Sequence, residues 1–149
     1  MKLTYKLIAT VAIILTIAAG TSRAQVGVSI GTNEKVDYEI YYAFVTGARM
    51  TLQTELVTEN GEELIHLVAK GNTVGLIDKI YNIMEDYESW ADKTTLLPKH
   101  ALKNVRESAE YKRYITYQFD HANHTVNSSR SGESKIEPDC FDIVAACYK

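Results

Sequence analysis

Ser89 and His100 are the one pairing in this chain that could supply a nucleophile and its base. A serine attacks only when a base within hydrogen-bond reach takes its proton. Around them stand Glu85, Asp86, Glu88 and Asp92, and two carboxylates flanking a bond are the machinery of a glycosidase. Each idea has a plainer counterpart. The residues around the serine read Glu88-Ser89-Trp90, without the G-x-S-x-G elbow that exposes a hydrolase nucleophile. The acids suit the solvated side of a strand. His121 and His124 lie three apart beside Asp120. That spacing shares a face on a helix and splits across a strand, and the segment reads as turn and strand, so no metal site is expected. His66 reads as a strand histidine among apolar neighbours. No phosphate loop or dinucleotide fingerprint occurs, and no cofactor is expected.

These residues sit on elements with a clear period. In VDYEIYYAFV, Val36, Tyr38, Ile40, Tyr42 and Phe44 share one side while Asp37, Glu39 and Tyr41 take the other, the alternation of a strand with one buried face. Thr46-Gly47 is expected to end it. Ala48, Met50, Leu52 and Leu56 alternate with polar residues as a second strand, and Asn60-Gly61 is a strong hairpin signal. ELIHLVAK is apolar on both sides, as a covered or central strand would be. A short helix or turn is expected around Leu76–Lys79, able to plug one end of a curved sheet. DYESWAD and LLPKHALKNVRE then form a hairpin. With Lys93-Thr94 as its loop, Asp92 faces Thr95, Glu88 faces Lys99 and Tyr87 faces His100, which puts Asp86, Glu88 and Asp92 on the side opposite Ser89 and His100.

Tyr111 to Asp120 is the clearest strand, and His121 to Ser129 a weaker one. SRSGESKIEPD reads as a loop, and a helix begins near Cys140 with Asp139 as its cap. On that helix Cys140 and Cys147 lie roughly 10 Å apart along the axis, too far for a disulfide; they read as small apolar core or interface residues. Strands joined by short turns argue a mainly β chain, an antiparallel meander of about six to eight strands. It would form a strongly curved sheet or incomplete barrel, with a short helix near 75–80 and a helix start at 140–149.

The N-terminus opens with Lys2 and Lys6, runs apolar from Leu7 to Ala19, and reaches Ser22-Arg23-Ala24. That order is a secretory signal over residues 1–24 rather than a membrane span. A flexible leader over 25–35 and a single β-rich domain over 36–149 follow, a domain expected to be cut short at its C-terminus. Three of the 16 bases, Lys2, Lys6 and Arg23, and none of the 19 acids lie in the signal, so its removal takes the net charge from −3 to −6. An acidic exported chain is a poor nucleic-acid binder, and no transmembrane span is expected in the mature protein. The 10 Tyr against 3 Phe and 1 Trp suit strands and half-wet surfaces.

The order of pieces, a strand like VDYEIYYAFVTGARMTL, then GLIDKIYN, DYESWADKTTLLPKHALKNVRE, YKRYITYQFD and EPDCFDIVAACYK, resembles the exported family called domain of unknown function 3108. Cys140 and Cys147 are not part of the family pattern. The resemblance implies an envelope protein of antiparallel β structure similar to lipid-carrier or lipocalin-like folds, in the periplasm or cell envelope of a Gram-negative bacterium. It implies no catalytic residues. The expected role is non-enzymatic binding of an apolar or amphipathic ligand, lipid or glycan, against Tyr38, Tyr42, Phe44, Tyr87, Trp90 and Tyr117. The alternative is an envelope assembly or scaffold protein that pairs with a protein partner through an exposed strand edge, and a hydrolase is the remote third reading.

Overall fold

The computed structural model describes residues 31–108 and 110–149, and the side chain of Tyr42 is not among what it describes. The expected signal and most of the leader lie outside those residues. The described chain is one curled, unclosed sheet of eight antiparallel strands in strict sequence order, with two short helices. The strands are β1 (Lys35–Tyr42), β2 (Val45–Glu59), β3 (Glu62–Thr73), β4 (Ile83–Asp92), β5 (Pro98–Glu107), β6 (Tyr111–Asp120), β7 (Thr125–Ser128) and β8 (Gly132–Lys135). Helix α1 (Gly75–Ile80) links β3 to β4, and α2 (Ile143–Tyr148) follows β8.

The turns follow local chemistry. Asn60 and Gly61 join β2 to β3 with φ of 51° and 83°, both in the left-handed region that a two-residue hairpin demands. The break at β1–β2 falls on Ala43 and Phe44, not on Thr46-Gly47. Gly47 is instead the extra residue of a bulge, because Ile40 pairs with Ala48 and Tyr41 with Thr46. The stretch after Ser129, read above as loop, contains β8. Its four residues are all exposed and lack alternation, so period two could not reveal it.

Hairpin β4–β5 differs most from expectation. The loop runs from Lys93 to Leu97, and Trp90 pairs with His100 while Glu88 pairs with Leu102 and Ser89 with Ala101. A register shift between Trp90 and Ala91 completes the change. The loop is held by Asp92, whose Oδ1 accepts from the Thr94 and Thr95 amides at 3.0 and 2.7 Å and from the Thr95 hydroxyl at 2.9 Å. Leu96 carries a φ of 63°, uncommon for a bulky residue, and is buried at 6 % exposure. Its burial in the core offsets the backbone cost.

The main buried cluster lies on the side of the sheet that α2 covers, which we call concave, while Leu64 and Val68 are buried on the other. Ile65 and Leu67 of β3, Ala91 of β4, Leu96, and Val144 and Ala145 of α2 form one buried cluster, with Ala69, Tyr87, Phe141 and Tyr148 against it. Helix α2 is only six residues long, too short to persist alone. It is fixed by that packing and by Asp142 as N-cap, whose Oδ1 accepts from the Val144 and Ala145 amides at 2.8 and 3.0 Å. The cap is therefore Asp142 and not Asp139, which takes a φ of 56° in the preceding turn. Cys140 falls before the helix and is half-buried; Cys147 is exposed within it, and both thiols are free. Helix α1 has no buried residue, and its Ile77 side chain lies beside Gly47 of β2. No helix among them is long and apolar enough to cross a membrane.

Candidate functional site

Alternation decides which side chains share the concave face. Register pairs Ser89 with Ala101 and Ala101 with Tyr117, and Tyr87 with Lys103 and Lys103 with Ile115. Phe119 and its partner Val126 on β7 extend the same face. Helix α2 packs over β3 and β4, and only its first turn borders the β5–β7 part. A cleft of about 320 Å³ opens there. Its sheet wall is Tyr87, Ala101, Lys103, Tyr117, Phe119 and Val126; its other wall is the returning chain at Ile136, Cys140 and Asp142 to Val144. Glu88 and Leu102 also border it.

Polar groups in the cleft are few and placed. Ser89, fully buried, donates its hydroxyl to Asp142 Oδ2 at 2.5 Å. That bond and the two helix amides occupy the Asp142 carboxylate. Lys103 Nζ stands 5.4 Å from the centre of the Tyr87 ring, within cation–π range. Burial, and next the charge of Glu85, push the Tyr87 phenol above its usual range, so it stays a neutral donor at every physiological pH. The arrangement is suited to holding a molecule by apolar contact with one cation and one phenol as polar handles.

The convex face carries a second constellation. Trp90 is stacked between His66 and His100, ring centroids 4.3 and 4.5 Å apart. Glu88 Oε2 lies 2.9 Å from His66 Nε2, and Glu59 Oε2 lies 2.8 Å from His100 Nε2. Each imidazole is thus spent on a carboxylate and an indole face. Among the described residues no group of three or more His, Cys, Asp or Glu could hold a metal ion. His121 donates its Nε2 proton to the Pro98 carbonyl at 2.8 Å, and His124 sits in the β6–β7 turn.

A family model described as protein of unknown function (DUF3108) matches residues 37–148. The chain belongs to that family. No curated protein and no solved structure matches it. Membership in DUF3108 accounts for the order of pieces seen in the sequence, and it assigns no role to any residue, so the site rests on geometry.

For this DUF3108 chain the sequence-nominated residues scatter. Tyr87 and Tyr117 line the cleft. Tyr38 shares the concave face but lies at its β1 end, 43 % exposed. Phe44 stands in the β1–β2 turn at 97 % exposure, because the strand ends one residue pair earlier than its alternation implied. Tyr42 is in β1, paired with Val45. Trp90 is on the convex face. Ser89 and His100 are on opposite faces, since Ser89 pairs with Ala101 and Trp90 with His100, and they cannot act as nucleophile and base. The acids are also divided: Glu85 faces the concave side, while Glu88 bonds His66 and Asp86 accepts from Asn104 on the convex one. Lys103, Phe119 and Val126 were not singled out. A signal for Lys103 lay in strand parity alone: on an extended strand it falls on the side of the apolar Ala101 and Val105.

Proposed function

We propose that this protein is exported to the cell envelope of a Gram-negative bacterium and there binds an apolar or amphipathic molecule in the cleft between the curled sheet and the chain returning after β8. The observation that carries the reading is the cleft itself, with Tyr117, Phe119 and Val126 facing Ile136 and Ile143 across about 320 Å³. That is the low end of small-molecule pockets, which run roughly 300–1,000 Å³. An apolar lining with a lysine and a phenol suits a lipid-like chain better than a glycan, which would need many more hydrogen-bonding groups. Export rests on the basic start, apolar run and Ser22-Arg23-Ala24 of the N-terminus. The test is extraction of the natively folded protein followed by mass spectrometry, with the Phe119→Asp variant beside it. Cargo in the wild type and none in the variant is the expected result. A cargo-free wild type that also ignores added decyl-chain amphiphiles overturns the reading.

A second reading, an assembly protein that pairs along a strand edge, is favoured by β1. Among the described residues it is the terminal strand of the sheet, and Val36 and Ile40 are 44 % and 52 % exposed on it, apolar side chains beside an open strand edge. Concentration-dependent self-association or partner capture lost in Ile40→Lys would favour it over the carrier.

A further inference from the structure

We infer that the cleft selects an amphiphile with an anionic head, which docks at Lys103 while its tail lies toward Phe119 and Val126. The inference rests on the reading above that the cleft takes an amphiphile, and it names the class. Lys103 occupies a concave position between Ala101 and Val105 where the pattern calls for an apolar side chain. It is half-buried, and holding an ammonium there costs solvation unless something answers the charge. Among the described residues no carboxylate lies within ion-pair distance of it; Lys79, Lys112, Lys135 and Lys149 share that lack but are exposed, and only Lys103 lines the cleft. Its nearest recorded partner is the Tyr87 ring.

A second cation stands beside it on the same face. Lys103 pairs with Ile115, and the neighbouring pair is Val105 with Arg113, so the two basic residues are diagonal neighbours. Arg113 Nε is buried without a hydrogen-bond partner, and its guanidinium lies 4.5 Å over the Tyr111 ring. Three acids face the same side. Glu107 accepts the Tyr81 hydroxyl at 3.1 Å, Asp142 is occupied by Ser89 and the α2 amides, and Glu85, paired with Val105, lies outside the cleft lining. Lys103 is thus the one cation lining the cleft, and no acid contacts it. An anionic head would meet a half-buried ammonium at Lys103, the phenol of Tyr87, and Arg113 behind. A carboxylate and a phosphate share this chemistry. The size of the cleft favours one chain over two.

Titration calorimetry of the purified protein with monomeric decanoate, decyl phosphate, decanol and decyltrimethylammonium tests this. The anions should bind about tenfold tighter than decanol, the worth of one charge-assisted hydrogen bond. Lys103→Gln should abolish that preference, with an unchanged urea-unfolding midpoint showing that the variant is folded. Lys103→Met, which keeps the stem, should behave alike. Decanoate above decyl phosphate identifies a fatty-acid-type head, and the reverse order a phosphate one. Equal affinity for decanoate and decanol, tightest binding of the ammonium probe, or an anion preference that survives both substitutions overturns the inference and leaves the carrier reading intact. Failure of every probe overturns the inference, and together with a cargo-free wild type it overturns the carrier reading as well.

Discussion

On the concave face, β3 and β1 carry the same pattern of alternate apolar residues and meet opposite fates. Ile65 and Leu67 on β3 are 3 % and 0 % exposed, whereas Val36, Tyr38 and Ile40 on β1 are 44 %, 43 % and 52 % exposed. The difference is the terminal helix. Val144 and Ala145 reach β3 and β4 and complete a dry core there. Beyond the helix to one side lies the open cleft of β4–β7; on the other lies β1, whose apolar side chains are exposed among the described residues. Period two states which side chains look inward. Whether anything covers them depends on an element more than 70 residues later in the chain, and that coverage turns one apolar face into core, site and edge in different places.

The sharpest way to break the comparison is to truncate matched positions. Leu67→Ala should cost about 2–5 kcal/mol, the range for a buried leucine left as a cavity, with the upper part expected because sheet and helix enclose it. Tyr38→Ala should cost under about 1 kcal/mol, because nearly half of the side chain is already in water. Urea unfolding of the two variants checks this. Similar losses would mean that β1 is covered in solution and that the contrast is false.

A smaller effect is expected from undoing what pins the helix. Asp142→Ala removes an N-cap, worth about 0.5–2 kcal/mol, and also orphans the buried Ser89 hydroxyl, worth about 1–3 kcal/mol. The two losses share one carboxylate and do not simply add. Hydrogen exchange should then accelerate at the Val144 to Ala146 amides while the β5–β6 ladder keeps its protection. Equal acceleration throughout would show that core and cleft are one cooperative unit and not two regions with separate supports.

Much of the sheet is legible in the sequence because its signals are local. Strand β6 lies where Tyr111 to Asp120 alternate, the Asn60-Gly61 turn is where the dipeptide places it, and a helix at Gly75–Ile80 matches the short apolar cluster there. What was hidden depends on choices that distant packing makes. The β4–β5 register needed a loop whose Leu96 adopts a left-handed backbone to reach the core, and no turn dipeptide announces that. The stacked His66–Trp90–His100 ladder follows from this register, so it was hidden with it. Two aspartates, Asp139 and Asp142, are both sound caps; Asp142 is used because it presents Val144 and Ala145 to β3 and β4. For the candidate site, Tyr87 and Tyr117 could be nominated from the sequence, but their common face follows from the observed register, and the opposite wall at Ile136 to Val144 depends on where the returning chain docks.

The smallest expected effect concerns the loop that supplies Leu96 to the core side of the contrast. The Thr95 amide, then the Thr95 hydroxyl and the Thr94 amide, hold the Asp92 carboxyl below its usual range against a smaller opposing effect of burial. The folded state therefore prefers the ionised form more than the unfolded chain does. Its contribution is complete above the ordinary aspartate value of about 3.9 and is lost as pH falls through the lower folded value. Because the group is partly exposed, solvent screens the contribution to the scale of a surface interaction. Asp92→Asn should lower stability slightly at pH 7, since an amide oxygen accepts the same bonds more weakly, and should flatten the acid limb of stability against pH relative to wild type. Asp37, Glu39, Glu63 and Asp120 are also held low, so that limb should be shallower in the variant without disappearing. The comparison with β1 sharpens if the same variant leaves the exchange of β1 amides unchanged while loosening Leu96 and α2. An acid limb identical to wild type would mean that the loop is not held through Asp92, and that Leu96 reaches the core for another reason.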